Sequence, residues 1–415
     1  MTSEPPKLSP TQLIVAICAA EVIGMLGAMS FPALLPSFIT EWQLTNTEAG
    51  WINGIYFAGY LTAVPVLVSL TDRVPPRKIY FLCLGLTAVS SAGFAFFTDG
   101  FWTAMIFRCI AGIGLAGSYM PGLKMLGDHL KVMEGESNQS RAVAFYTSSF
   151  GIGTALSYYF SGVIAEALNW HWVFGIAALM PLLSMALSAA VLPSKDPKLT
   201  NAPDTHLLDF RPVLKCRAAM GYVLAYTAHN FELFAFRSWI VAYLVFAAAA
   251  GPGTSGIWSA TAIAAFINLL GMPSSVLGNE LSQRIGRHRT ITIIMLSSAV
   301  MACLFGLSAE WPYWVVVTLA MIYGVTVTAD SASITAGVVN AAPEGYSGAT
   351  MAVHSCIGFM GSFAGPLIFG VVLDLAGPGG TGGETVASWG WAFAFSGLIV
   401  AMGPLALALL REKQA

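Results

Sequence analysis

Seven residues able to carry or exchange charge interrupt stretches that are otherwise apolar: Glu21, Arg108, His229, Glu232, Arg237, Asp330 and His354. The densest group lies in YTAHNFELFAFRSWIVAYLVFA (226–247), where a base, an acid and a guanidinium fall within nine residues. Carboxyls and imidazoles take up and release protons, whereas a guanidinium keeps its charge and pairs with carboxylates and similar oxyanions. Proton exchange and recognition of a charged solute are the chemistry these types offer. No nucleophile–base set with recognisable spacing accompanies them, so an enzyme is not expected. No Gly-x-x-x-x-Gly-Lys phosphate loop is present either, which argues against ATP-driven work within this chain.

The elements that hold these residues follow from composition. Of 415 residues, 56% are hydrophobic and only 10% are charged. Mean hydropathy is +0.72. A soluble domain carries about 25% charged residues, so the pattern is that of an integral membrane protein. The continuous apolar runs predict spanning helices rather than barrel strands. Twelve runs are predicted, at 12–39, 47–70, 78–97, 101–125, 141–165, 171–192, 216–247, 255–278, 289–308, 312–340, 346–374 and 389–410. The first is too long for a signal peptide and lacks a small-residue cleavage site, so it reads as a span. With the N-terminus placed in the cytoplasm, 17 of the 19 Lys and Arg fall in cytoplasmic segments and none on the opposite side. Arg108 and Arg237 are the two left, inside spans. That asymmetry predicts cytoplasmic N- and C-termini. Residues 1–192 and 216–415 then form two six-helix bundles, joined by the Pro-, Asp- and Lys-rich linker 193–215. The six cysteines form no Cys-x-x-Cys pair, so neither a disulfide framework nor a zinc site is indicated. The net charge of −2 gives no reason to expect a nucleic-acid partner. The expected setting is a cell inner membrane, with the chain monomeric.

Two short basic turns repeat. LTDRVPPRK (70–78) follows the second span and ELSQRIGRHR (280–289) follows the eighth. Arg73 and Arg284 are 211 residues apart, about half the chain. Duplicated six-helix units are a transporter architecture. The turns resemble the loop signature of the major facilitator superfamily, Gly-x-Leu-Ala-Asp-Arg-x-Gly-Arg-Arg/Lys. Asp72, Arg73 and Arg77 match the first copy, and Arg284, Gly286 and Arg287 match the second. Val68 and Pro75 replace the first copy's glycines, and Gln283 stands where the second copy would have Asp. FRCIAGIGLAGSYMP (107–121) is similar to the family's Arg-x-x-x-Gly pattern, and SFGIGTALSYYFSG (149–162) to its glycine-spaced face. The resemblance implies an all-helical fold of two pseudo-symmetric six-helix bundles that move a solute by alternating access. It also implies a cavity lined by spans 1, 4, 7 and 10, with the basic turns bracing one closed state.

Glu21, Arg108, Glu232, Arg237 and Asp330 all fall on those four spans. Each central charge costs roughly 2.5–3.5 kcal/mol to insert, so the charges must face one another or water. Glu21 and Glu232 repeat the 211-residue offset of the turns. Glu21, paired with Arg108, is the first candidate for proton coupling. Glu232 and Asp330 follow, Asp330 lying where it could instead cap a break in its helix. A structural ion pair is the plainer alternative for Glu21 and Arg108. At about 100° per residue, Glu232 and Arg237 flank His229 in azimuth at roughly −60° and +80°. Arg108, Arg237, His229 and His354, with Asn53, Tyr56, Tyr146 and Asn268, are the candidate solute contacts. Aromatic residues at helical spacing also serve plain packing. The 17 methionines show no tight His, Met or Cys cluster, so no metal site or other cofactor is expected. The reading is a proton-gradient-driven transporter of a small anionic or zwitterionic solute. The alternative is a proton-antiport exporter of cationic or amphipathic compounds, reached if the acids neutralise both arginines. A metal transporter or a non-transporting sensor stands behind both.

Overall fold

The computed structural model describes residues 8–71, 73–134, 139–192, 210–252, 258–378 and 384–410. Among them all regular structure is helical: α1 (Pro10–Gly24), α2 (Ser30–Ala33), α3 (Leu35–Trp42), α4 (Asn46–Leu70), α5 (Pro76–Phe97), α6 (Phe101–Glu134), α7 (Gln139–Ala167), α8 (Trp170–Val191), α9 (Arg211–Lys215), α10 (Arg217–Ala250), α11 (Ala260–Ile285), α12 (Arg287–Gly306), α13 (Tyr313–Ala329), α14 (Ser331–Asn340), α15 (Ser347–Ala376) and α16 (Val386–Leu409). Nine spans among the described residues are long and apolar enough to cross a membrane. The helices α4 and α7, with 25 and 29 residues, are also of spanning length.

The first expected span, 12–39, is not one helix. It divides into α1, α2 and α3, with turns over residues 25–29. Gly24 and Gly27 weaken the helix there, and Pro32 and Pro36 remove two backbone donors in the next turns. Spanning backbone must have its polar groups satisfied. The freed Met29 N–H donates to Ser157 Oγ at 2.9 Å, and the Ala28 carbonyl accepts from Arg108 Nη1 at 3.2 Å. The tenth expected span, 312–340, is also divided. A break at Asp330 separates α13 from α14, and Ala332 N–H is met by Ser275 Oγ at 3.2 Å.

Contacts divide the chain into two compact units. Unit 1 comprises Met1–Ser30 and Gly59–Asp204. Its α5 packs against α6 and α8, and α1 against α7 and α8. Leu84, Met125, Leu126 and Leu130 form part of its core with Tyr80 and Tyr146. Unit 2 comprises Phe31–Ala58 and Thr205–Ala415. Its axis is α10, which is buried on nearly all sides and packs on α15 and α16. Trp239, Tyr243, Phe305, Phe369, Trp389 and Phe393 interlock around it, mostly edge to face. The unit boundary therefore differs from the covalent repeat, because residues 31–58 belong by contact with the second half.

The turns that resemble the loop signature are short. In the second, Gly286 ends α11 and begins α12 at φ +92°, a left-handed backbone that favours glycine. Arg284 lies in the last turn of α11. Arg287 opens α12, and its Nε is buried with no hydrogen-bond partner among the described residues. In the first turn, Pro75 and Pro76 start α5, and Arg77 lies over the Phe81 ring at 5.2 Å. The Arg73 N–H bonds the Leu70 carbonyl at 3.0 Å. Asp72 lies outside the described residues, as do the 193–209 part of the linker and the last five residues.

Candidate functional sites in the two units

In unit 1, α1 carries Glu21 and α7 carries Tyr146. Both are buried, and the Tyr146 hydroxyl bonds the Glu21 carboxyl. The same hydroxyl lies 3.5 Å from the Ser118 carbonyl of α6, so three helices meet there. Glu21 Oε2 has no hydrogen-bond partner among the described residues. The expected Glu21–Arg108 pairing is not how Arg108 is placed. Its Nη1 serves the Ala28 carbonyl, seven residues beyond Glu21, because the break after α1 exposes that carbonyl. On a neighbouring face of α1, a groove of about 340 Å³ runs between α1 and α7, and Glu21 itself does not line it. Its walls are mainly apolar, with Ile14, Val15, Val22, Phe145 and Ile152, and Cys18 and Ser149 stand in it next to Glu21 and Tyr146.

In unit 2, α10 brings His229 and Glu232 to α12, α13 and the α13–α14 break. Glu232 Oε1 accepts from Ser298 Oγ at 2.9 Å and from Tyr323 Oη at 3.0 Å. Glu232 Oε2 has no hydrogen-bond partner among the described residues. His229 Nδ1 lies 2.8 Å from Asp330 Oδ1, with both side chains buried. The contact is a close approach without the alignment of a hydrogen bond, and Asp330 does not cap α14 with its side chain. The helix thus breaks at the expected residue, with the carboxylate turned to His229 instead of to the helix end. Tyr226 stacks between His229, at 5.7 Å and 16°, and His354, at 4.0 Å and 29°. His354 therefore joins the same cluster from α15.

The remaining candidates scatter. Arg237 lies over the Phe234 ring at 5.4 Å. Asn53 and Asn268 are buried and turn back on their own helices, bonding the Ala49 and Ala264 carbonyls. Tyr56 is buried edge to face with Phe57. Ser298 and Tyr323, which fix Glu232, carried no sequence signal, because a serine and a tyrosine in apolar runs look like ordinary packing. Among the described residues, no three His, Cys, Asp or Glu side chains gather as metal ligands.

Each half of the chain thus holds a buried carboxyl near a broken helix, in a protein whose helices are long and apolar enough to cross a membrane. The chain belongs to the Major Facilitator Superfamily, whose family model matches residues 17–366. With its long apolar helices, it is a multi-pass membrane protein of that family. Among curated relatives, it is 29% identical over 162 residues to "Probable sphingolipid transporter spinster homolog 1" of Arabidopsis thaliana, covering 38% of this chain and 31% of that protein. It is 24% identical over 168 residues to the niacin transporter NiaP of Acinetobacter baylyi, covering 40% and 37%. The chain thus matches only about a third of the length of these relatives. Among solved structures, the nucleoside transporter NupG superposes with a TM-score of 0.76 at 12% identity, over 97% of this chain and 100% of that one. That likeness speaks for the fold alone.

Proposed function

We propose that the protein is a proton-coupled secondary transporter working by alternating access, and that its solute is cationic or amphipathic. The observation that carries this reading is Glu21, a buried carboxyl with one unpartnered oxygen, one helical turn from Cys18, which lines an apolar groove. A buried carboxyl changes its charge by taking up or releasing a proton. A cationic group competes with that proton for the same oxygen, while an apolar body occupies the groove. This exchange is proton antiport in its simplest form. Glu232 is the second candidate, and Asp330, which lies against His229, the third. The similarity to a protein named for sphingolipid transport supports an amphipathic solute. In this reading the protein lies in the cell inner membrane with both termini in the cytoplasm, as the basic-residue asymmetry suggests.

The anionic or zwitterionic reading requires a guanidinium presented to the solute. Arg108 donating to Ala28 and Arg237 lying over Phe234 make it the second choice, although the similarity to a niacin transporter speaks for it. Flux in proteoliposomes separates the two. A panel of amphipathic amines and of carboxylates is loaded with and without a pH gradient. Gradient-driven flux of the amines, lost in Glu21→Gln, supports the proposal. Gradient-driven flux of the carboxylates alone, or no response to any gradient, overturns it.

A further inference from the structure

Residues 31–58 come from the first repeat, yet by contact they belong to the second. Their tightest attachment is at the start of α4. An α-helix leaves its first N–H groups without internal partners. Thr45 and Glu48 cap each other reciprocally: Thr45 N–H meets Glu48 Oε2 at 2.9 Å, and Glu48 N–H meets Thr45 Oγ1 at 3.1 Å. This capping box leaves the Asn46 and Thr47 N–H groups open. Both are taken by one carboxylate from the far repeat. Asp374 Oδ1 accepts from Asn46 at 3.1 Å, and Oδ2 accepts from Thr47 at 2.7 Å.

Asp374 is badly placed for its own helix. It sits in the last turn of α15, where a negative charge opposes the helix dipole. At the start of α4 the same charge is favourable. Small residues let the two helices meet. A Cβ at Gly370 would lie 2.1 Å from the Asn46 carbonyl oxygen, and one at Gly50 would lie 2.6 Å from the Pro366 carbonyl oxygen. Trp51 packs on Phe363 one turn further along.

We infer that Asp374 is a latch. It caps α4 across the repeats, holds segment 31–58 on α15, and must let go when the transporter changes state. The inference rests on the alternating-access reading above. Asp374 grips α4 through backbone N–H groups, so the device reads the position of the helix and not its side chains.

The test uses the full chain in nanodiscs. Asp374→Ala removes the cap, Asp374→Asn keeps its shape without the charge, and Asn46→Pro removes one donor at a first-turn position that tolerates proline. Hydrogen exchange should become about tenfold faster at the amides of 46–48 in the alanine variant, in line with the loss of a helix cap. Spin labels at positions 40 and 375 on a cysteine-free background should show a second, longer separation whose population rises by a similar factor. Unchanged exchange in both Asp374 variants overturns the latch. Faster exchange with the wild-type distance distribution also overturns it, since the carboxylate would then be a cap and nothing more. If wild type and all variants hold one separation under every pH and solute condition, alternating access itself fails, and the latch with it.

Discussion

Glu21 in unit 1 meets one hydroxyl, that of Tyr146, whereas Glu232 in unit 2 meets two, from Ser298 and Tyr323, on a single oxygen. The two acids stand 211 residues apart on corresponding spans. Their neighbours do not correspond. Cys18 stands where His229 repeats, and Leu26 where Arg237 repeats. The break beside Glu21 is served by a guanidinium, while the break in unit 2 carries an aspartate turned to an imidazole. The 211-residue offset repeats the carboxyl and not its surroundings. On the proposal above, Glu232, held by two donors on one oxygen, is the less free of the two to exchange a proton, and Glu21, held by one, the freer.

The largest expected effect that tests this contrast is on stability. Arg108→Ala leaves the Ala28 carbonyl unserved at a buried helix break, and should lower stability by about 3 kcal/mol, read as thermal unfolding in detergent. Arg108→Lys, which keeps a donor, should lose less. Arg237→Ala, which gives up a ring contact, should cost about 1 kcal/mol. Equal losses for the two arginines would remove the asymmetry between the units.

Transport should divide in the same way. Glu21→Gln keeps the shape of the side chain and removes its exchangeable charge. Gradient-driven flux in proteoliposomes should fall at least about tenfold, equivalent to ~1.4 kcal/mol in the barrier. Glu232→Gln should slow flux without abolishing its response to a pH gradient. The reverse result would exchange the roles of the two acids.

A smaller effect sharpens the picture of Glu232. Ser298→Ala and Tyr323→Phe each remove one hydrogen bond to a charged or chargeable group, at about 1–2 kcal/mol each. Both donors share Oε1, so the double variant should depart from the sum of the two single losses. Strict additivity in a double-mutant cycle would mean that the two hydroxyls act on Glu232 independently.

Much of this contrast was legible in the sequence, for a physical reason. Charges inside apolar runs are costly enough to be kept only where they do something, so Glu21, Arg108, Glu232 and Asp330 stood out at once. The repeat of Arg73 at Arg284 and the composition pointed to the family and its helical fold. What each charge touches was not legible. Partners such as the Ala28 carbonyl are backbone atoms, and backbone exposed by a helix break carries no residue-type signal. The division of the first span was missed because Gly24, Gly27, Pro32 and Pro36 are all tolerated within membrane helices. Tyr226, between two imidazoles, and Asp374, at the wrong end of its own helix, gain meaning only once distant segments are brought together.

The last predicted effect, read against pH, belongs to unit 2 alone. Glu384 lies outside the spans, just before α16, and Val173 stands 211 residues earlier. Burial pushes its carboxyl up to about 6, the nearby Asp374 charge adds to this, and Trp389 opposes it. The folded protein then holds a proton that the unfolded chain has already released, between about pH 4.5 and 6. Stability from this group is present in full below the unfolded value and is lost as pH rises through the folded one. The total is on the order of 1–2 kcal/mol. Apparent melting temperature in detergent should therefore carry a falling component between pH 4.5 and 6, and Glu384→Gln should remove it. Its persistence in that variant would place the proton on another group.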